Sequence, residues 1–182
     1  NTDLFILDIN NGFAKGGALY SPRIESLINP IVNFTKSVSK DIRSIIAFTD
    51  YHTNESVELL NYPTHCIKDT IECEIVDELK SIDNIKIVKK NSTNGFFALD
   101  SLNFDDTDNI IIVGDCTDIC IYQLAITLKS YFNQNNINKD IIVPINLVDT
   151  YNIDNVHPAE LLNIVFLNSM IQNGIKVVKE IK

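Results

Sequence analysis

The chain has 182 residues, of which 45% are hydrophobic, and this length and composition predict a single domain over residues 1–182 with a sizeable core. A formal net charge of −9, with no basic stripe to offset it, excludes a protein that binds phosphate backbones, so no nucleic acid partner is expected. No apolar run reaches the roughly 18 residues that span a bilayer, and no secretory signal is recognisable, so we expect a cytoplasmic protein with no membrane partner.

Apolar runs of strand length alternate along the chain with amphipathic segments. The predicted strands are residues 4–9, 44–49, 85–90, 110–115, 141–148 and 175–178. The predicted helices are residues 22–41, 73–81, 117–133 and 158–173. This alternation implies right-handed crossovers, so the expected fold is α/β: a mostly parallel sheet of about six strands with helices on both faces, in three layers.

Three reactive side chains fall at or just beyond the carboxyl ends of predicted strands, where functional groups gather in such sheets. They are Asp8, Lys90 and Cys120. Cys120 lies in the first turn of a predicted helix, and backbone NH groups there lower the pKa of a thiol, which suits a nucleophile. Asp8 would accept the thiol proton, and Lys90 would orient Asp8 and stabilise the ion pair. The alternatives are a Cys120 that packs as a small apolar residue, an Asp8 that caps a loop and a Lys90 in solvent.

A second polar group follows the strand predicted at residues 44–49. Asp50 and His52 are two residues apart, so an extended backbone points both side chains the same way. Glu58 and His65 come shortly after, and the four side chains together offer two imidazoles and two carboxylates to a divalent metal ion. The alternative is a pair of surface histidines bonded to local backbone. The third histidine, His157, precedes a predicted helix and is expected to be an exposed capping residue.

The chain has four cysteines: Cys66, Cys73, Cys116 and Cys120. Without a secretory signal or the character of a small disulfide scaffold, reduced thiols are expected. Cys66 and Cys73 are interpreted as structural.

Taken together, these residues resemble the isochorismatase-like cysteine hydrolases, and within them the nicotinamidases, over nearly the whole chain. The resemblance implies a catalytic triad of Asp8, Lys90 and Cys120, the cysteine closing the segment GDCTDIC. It also implies a cis peptide bond between Asp115 and Cys116, with an oxyanion hole formed by the backbone NH groups of Cys116 and Cys120.

The nicotinamidases add a metal site written DxH and then WPxH, which this chain resembles in the segments DYH and YPTH. By that resemblance Asp50, His52 and His65 would bind a divalent metal, zinc, iron or manganese, with Glu58 as a further ligand. Aromatic residues matching Phe13 and Tyr62 flank the substrate ring. The implied activity is hydrolysis of nicotinamide to nicotinate and ammonia through a thioester on Cys120. Isochorismatases proper lack the histidine pair, which favours a small-molecule substrate that is an amide of a nitrogen heterocycle over one that is a vinyl ether.

The chain also departs from the family pattern. Asn10 and Gly12 replace Gln and Asp in the opening motif, residues 68–70 replace an expected GT, and Thr93 replaces an aromatic residue. These changes are expected to affect the substrate pocket and its entrance more than the triad. They leave two alternatives open: a related hydrolase of another small amide or carbamoyl compound, and a non-catalytic binding member. A homo-oligomer is also left open.

Overall fold

A parallel β-sheet organises this computed structural model, which describes residues 1–100 and 104–181. Its strands are β1 (Thr2–Leu7), β2 (Ser44–Asp50), β3 (Ile85–Lys90), β4 (Asn109–Asp115), β5 (Asp140–Pro144), β6 (Val148–Asp149) and β7 (Lys176–Val178). They lie in the order β3-β2-β1-β4-β5-β7, with β6 beside β4, and every pair is parallel. The strand order reverses direction at β1 and β4, so the ends of these strands flank the crevice where such sheets place ligands.

Helices cover both faces of the sheet. They are α1 (Asn11–Ala14), α2 (Pro22–Glu25), α3 (Ile28–Val38), α4 (Asp77–Lys80), α5 (Tyr122–Gln134) and α6 (Ala159–Gln172). Alternate residues of β1 enter different cores: Leu4 and Ile6 contact the side of α2 to α4, whereas Phe5 and Leu7 contact the side of α5 and α6. The expected α/β architecture in three layers is therefore confirmed, with seven strands in the described residues rather than about six.

The helix predicted over residues 22–41 is wrong as a single element, because α2 and α3 are separated by Ser26 and Leu27. Pro30 gives the physical reason. A proline has no backbone NH and is tolerated in the first turn of a helix, where that NH has no intrahelical partner. Starting α3 at Ile28 places Pro30 in that first turn, whereas a helix continuous from Pro22 would place it in the interior.

The helix predicted over residues 73–81 is also shorter than expected. Only Asp77–Lys80 is α-helical, because the backbone before it pairs with the segment after β1. The NH of Val76 donates to the carbonyl of Ile9, and the NH of Asn11 donates to the carbonyl of Glu74. These bonds hold residues 74–76 extended.

The strand predicted over residues 141–148 is divided at Pro144, which ends β5 because it has no NH to donate. A 3₁₀ turn, Ile145–Leu147, then leads into the short β6. The helix predicted over residues 117–133 begins with a π-helical turn, Thr117–Ile121, before α5. No helix of the described residues is both long and apolar enough to cross a membrane.

Candidate active site

Asp8, Lys90 and Cys120 meet at the carboxyl edge of the sheet. Asp8 follows β1, Lys90 is the last residue of β3, and Cys120 lies in the π-helical turn after β4. The Nζ of Lys90 is 3.1 Å from Oδ2 of Asp8 and 3.8 Å from Sγ of Cys120. All three side chains are buried. The structure therefore brings together the three residues that the sequence predicted as a triad.

The backbone turns sharply at Asp8 to place its side chain there. Asp8 has a φ of 58°, in the left-handed region that aspartate tolerates better than most residues. Its NH donates to the carbonyl of Phe48 on the neighbouring strand at 3.0 Å. This bond holds the backbone of Asp8 against β2 directly after the end of β1.

Burial and neighbouring charges set the protonation states of the three triad residues. Burial raises the pKa of Asp8 to about 7, against the opposing effect of Lys90. Burial also raises the pKa of the Cys120 thiol well above its ordinary value, although Lys90 acts to lower it. Burial lowers the pKa of Lys90, but Asp50 and Asp8 outweigh that effect and hold it well above its usual range. The cluster therefore contains a permanent ammonium, a protonated thiol and a carboxyl group that titrates near neutral pH.

Asp50, His52 and His65 form a compact group of potential metal ligands. Their ligand atoms lie within 4.8 Å of one another, and all three residues are buried. Oδ2 of Asp50 is 3.3 Å from Nε2 of His65 and 3.5 Å from Nε2 of His52. Burial raises the pKa of Asp50, but the ammonium of Lys90 acts to lower it and the net shift is downward, so the carboxylate stays ionised.

In each imidazole, the contact made by Nδ1 indicates that Nε2 is the nitrogen that is free to bind a metal ion. Nδ1 of His52 is 2.9 Å from Oδ1 of Asn91, and Nδ1 of His65 is 2.6 Å from the carbonyl oxygen of Pro63. We assign the proton to Nδ1 in both rings, because in each ring Nδ1 lies closer to its oxygen acceptor than Nε2 lies to Asp50. Both Nε2 lone pairs then point toward Asp50, as in metal sites where the outer partner fixes the tautomer.

Unpartnered polar atoms support the same interpretation. Nε2 of His52 and Oε1 of Glu58 are buried without a hydrogen-bond partner among the described residues, and they lie 3.9 Å apart. The other oxygen of Glu58 accepts a hydrogen bond from the NH of Thr93 at 2.8 Å. Two imidazole nitrogens and carboxylate oxygens that converge in this way fit a divalent cation. Glu58 lies at the edge of this group, outside the three residues whose ligand atoms all lie within 4.8 Å of one another.

The peptide bond between Asp115 and Cys116 is cis, as the resemblance implies. The carbonyl of Cys116 accepts hydrogen bonds from the NH groups of Ile119 and Ile121 at 3.0 and 3.1 Å, which fixes the turn that carries Cys120. Cys116 and Cys120 both line the site cavity.

That cavity has a volume of about 470 Å³ and is lined by Asp8 and Cys120 of the triad and by Asp50, Glu58 and His65 of the candidate metal ligands. Its walls include Asp8, Asp50, His65, Asp115, Cys116 and Cys120, together with the aromatic residues Phe13, Tyr20, Tyr62 and Tyr151. The ring centroids of Phe13 and Tyr62 are 5.6 and 6.2 Å from that of His65. The two aromatic residues predicted to bind substrate thus lie beside the candidate metal group.

His157 is not the exposed capping residue that the sequence predicted. Its Nε2 is 2.8 Å from Oδ2 of Asp118, its Nδ1 is 2.8 Å from the carbonyl oxygen of Tyr151, and its ring stacks on that of Tyr151 at 3.8 Å. Thr150 donates to the other oxygen of Asp118 at 2.6 Å. Asp118 is two residues from Cys120, so His157 links the turn that carries Cys120 to Tyr151 on the cavity wall. Sequence reasoning missed this contact because it joins residues 39 positions apart.

The unusual opening motif also has a different role from the one expected. Asn10 is fully buried and donates to Sγ of Cys66 at 3.1 Å and to the carbonyl of Glu72 at 2.8 Å. A Cβ at Gly12 would lie 2.8 Å from the same sulfur. Neither residue lines the cavity, and among the departures only Thr93 does. The expectation that these changes affect the pocket is therefore wrong for Asn10 and Gly12, which are accommodated by packing against Cys66.

All four cysteines are free, and Cys66, Cys73 and Cys120 are buried. Cys73 donates to the carbonyl of Ile67 at 2.9 Å. Burial raises the pKa of Cys66 and Cys73. In these surroundings both behave as small, inert core residues.

Comparison with known proteins agrees with this geometry. Nicotinamidase 1 of Arabidopsis thaliana is 26% identical over 209 aligned residues, which cover 98% of this chain and 85% of the relative. The structure of N-carbamoylsarcosine amidase from Thermoplasma acidophilum has a TM-score of 0.81 at 20% identity and covers 100% of this chain and 99% of its own. The structure of the pyrazinamidase of Pyrococcus horikoshii in complex with zinc has a TM-score of 0.78 at 20% identity, with coverages of 98% and 99%. At these identities the two structures establish the fold.

The family itself is established by the sequence. The model of the isochorismatase domain matches residues 2–168, which is most of the chain and includes every candidate site residue named above. This chain therefore belongs to the isochorismatase domain family.

Proposed function

We propose that this protein is a cysteine amidohydrolase that converts nicotinamide to nicotinate and ammonia, with the help of a bound divalent metal. The observation that carries the proposal is the meeting of two groups at one cavity. Asp8 and Cys120 of the triad line it together with Asp50, Glu58 and His65 of the metal-ligand group, and the buried Lys90 contacts both Asp8 and Asp50. Nicotinamidase 1 of Arabidopsis thaliana, which aligns with nearly the whole chain, supports the choice of substrate.

The first step is proton transfer from Cys120 to Asp8. The buried thiol is protonated at neutral pH, so it needs a base in contact, and Asp8 with a pKa of about 7 is suited to accept and return a proton. The neighbouring ammonium of Lys90 stabilises the thiolate as it forms. The sulfur then attacks the carboxamide carbon.

The charge that develops on the carboxamide oxygen is stabilised by the backbone NH groups of Cys116 and Cys120. As the C–N bond breaks, the amide nitrogen takes the proton from Asp8 and leaves as ammonia, which produces a thioester on Cys120. Asp8 then removes a proton from water, which attacks the thioester. As the thioester breaks and nicotinate is released, Asp8 returns the proton to the sulfur, so one carboxyl group acts twice as base and twice as acid.

Asp50, His52 and His65, with Glu58 as the further ligand, are the residues that would hold the metal. Zinc, iron and manganese all accept this mixture of imidazole and carboxylate donors. When bound there, the ion supplies a Lewis acid that anchors the ring nitrogen of the substrate and orients its carboxamide. Phe13 and Tyr62, which lie beside His65, would flank the ring.

The charge of the cavity favours a neutral substrate. Its described lining includes Asp8, Asp50, Glu58 and Asp115 but no lysine or arginine. A substrate that carries its own carboxylate would meet Asp50 and Glu58, and no lysine or arginine among the described lining residues could pair with it. A neutral carbamoyl compound is the second candidate, because the fold resembles that of N-carbamoylsarcosine amidase. Carboxylate-bearing members of that class are disfavoured by the same lining.

The decisive experiment measures ammonia release from nicotinamide by the purified protein, after chelation and again after return of zinc, iron or manganese. We expect metal-dependent release that disappears in Cys120→Ala and persists in Cys73→Ala, a matched loss of a buried cysteine outside the cavity. Release that survives in Cys120→Ala would refute the thioester mechanism. No release from metal-loaded protein would refute nicotinamide as substrate; a panel of neutral carbamoyl compounds then separates the second candidate from a non-catalytic binding protein.

A further inference from the structure

Asp115 is a buried carboxyl group on the cavity wall that the mechanism above does not use. It is the last residue of β4, its exposed fraction is 1%, and it lines the cavity with Asp8 and Cys120. Its Oδ1 is buried and has no hydrogen-bond partner among residues 1–100 and 104–181. Its Oδ2 has a weak contact with Sγ of Cys116, at 3.7 Å. A buried acid with so few partners is unusual and needs an explanation.

The neighbouring strand provides an internal contrast. Asp149 of β6 is the register partner of Asp115 on β4. Oδ1 of Asp149 accepts hydrogen bonds from Arg23 and Asn163, both at 2.8 Å, and from the NH of Thr150 at 2.8 Å. The fold thus satisfies one aspartate of the pair with protein groups and leaves the other facing the cavity. The pattern indicates that Asp115 does not serve the stability of the sheet.

The charge balance of the site indicates that Asp115 is neutral. Among the described side chains, Lys90 is the cation that contacts Asp8 and Asp50, and its ammonium is shared between these two acids. No ion pair joins Asp115 to a cation in the described part of the chain, and an isolated ionised carboxylate is too costly to bury. Burial and the nearby Asp8 raise the pKa of Asp115 well above its ordinary value, which agrees with a neutral carboxyl group. A neutral carboxyl group carries an O–H donor.

We propose that Asp115 is a specificity-determining residue that donates a hydrogen bond from its neutral carboxyl group to an acceptor atom of the substrate beside the scissile carboxamide. The position follows from the chain, because Asp115 directly precedes Cys116, whose NH is assigned to the oxyanion. The substrate class is a heteroaromatic amide with an acceptor atom next to the carbon that bears the carboxamide. This inference rests on the proposed amidohydrolase function and goes further by naming the feature of the amide that is selected.

Two amides that differ at this atom provide the test. Pyrazinamide has a ring nitrogen beside the carbon that bears the carboxamide, where nicotinamide has a CH group. We compare kcat/KM for both amides in the wild type, in Asp115→Asn, which keeps a neutral donor, and in Asp115→Val, which has none. The ratio of pyrazinamide to nicotinamide is expected to fall about 10-fold in Asp115→Val, the value of one lost hydrogen bond, and to stay within about threefold in Asp115→Asn. An unchanged ratio in Asp115→Val overturns the proposal.

Thermal unfolding separates this role from a structural one. Because Asp115→Val removes an unsatisfied buried group, its Tm is expected to equal or exceed that of the wild type. A lower Tm with equal loss of both activities would assign Asp115 to the fold instead and overturn the proposal.

Ligand binding separates failure of this inference from failure of the proposed function. If the wild type hydrolyses neither amide, the proposed function fails, and the rise in Tm caused by each amide decides the role of Asp115. A stabilisation by pyrazinamide that is lost only in Asp115→Val supports the proposal. Equal shifts in the two variants, or no shift in the wild type, overturn it.

Discussion

Asp50 contacts Lys90 through one carboxylate oxygen and His65 through the other, and so joins the candidate nucleophile to the candidate metal site. Oδ1 accepts a hydrogen bond from the Lys90 ammonium, and Oδ2 lies 3.3 Å from Nε2 of His65. A single carboxylate therefore sets both the charge balance of the triad and the ligand charge of the metal group.

Asp50→Asn should damage both functions at once. The variant removes the negative charge that offsets Lys90 and an anionic metal ligand. Loss of an outer partner of a metal ligand typically lowers metal affinity or activity by about 10- to 100-fold, so loss of a ligand should lower them at least as much. We expect lower metal content by elemental analysis and an activity that excess metal does not fully restore. Asp69→Asn, which removes an exposed carboxylate bonded to Tyr51, is the matched control. Full recovery of Asp50→Asn with excess metal would show that the contact with Lys90 is dispensable.

The pH dependence of turnover should report Asp8. The first step needs Asp8 as a carboxylate, and its pKa is raised to about 7, so the active form is lost as the pH falls through 7. In metal-saturated enzyme, kcat/KM is expected to fall about 10-fold per pH unit below that value and to level off above it. Asp8→Asn should abolish turnover at every pH. A flat profile between pH 5 and 8 would contradict the assignment of Asp8 as the base.

His157 should contribute to stability through Asp118. His157→Ala removes two hydrogen bonds and a stacked ring pair, so we expect the free energy of unfolding to fall by about 1–3 kcal/mol. Urea denaturation of His157→Ala, Asp118→Asn and the double variant gives the coupling between the two residues. Strictly additive losses would show that the contact between His157 and Asp118 contributes nothing of its own.

Gly114 should be the least replaceable glycine of the site. Its φ is +116°, and a Cβ there would lie 2.0 Å from the carbonyl oxygen of Leu7 on the adjacent strand. Since neither backbone can move without breaking the pairing of β1 and β4, Gly114→Ala should lower the free energy of unfolding by more than about 4 kcal/mol. Gly16→Ala, where a Cβ meets nothing within 4 Å, is the control and should change stability little. Comparable Tm values for the two variants would disprove this prediction.

The sequence by itself determined the fold class, most of the strands and most of the residues of the candidate site. Buried parallel strands appear as uninterrupted apolar runs, and their carboxyl ends meet at one edge, so Asp8 and Lys90 were predictable as neighbours. Short spacing likewise grouped Asp50 and His52. Pro30 and Pro144 also act on element boundaries through their own backbone geometry, which is a local effect. The predicted elements nevertheless ran through both residues.

Only the tertiary structure decided which polar atoms have partners. Asp118 and His157 meet through the packing of distant segments, and Asn10 turns to Cys66 rather than to the cavity. Asp115 continues a strand whose pattern gives no sign that its carboxyl group lacks a partner. Local sequence specifies backbone geometry because dihedral preferences act between neighbours, whereas partners and buried charge depend on groups brought together by long-range packing, which the order of residues does not reveal.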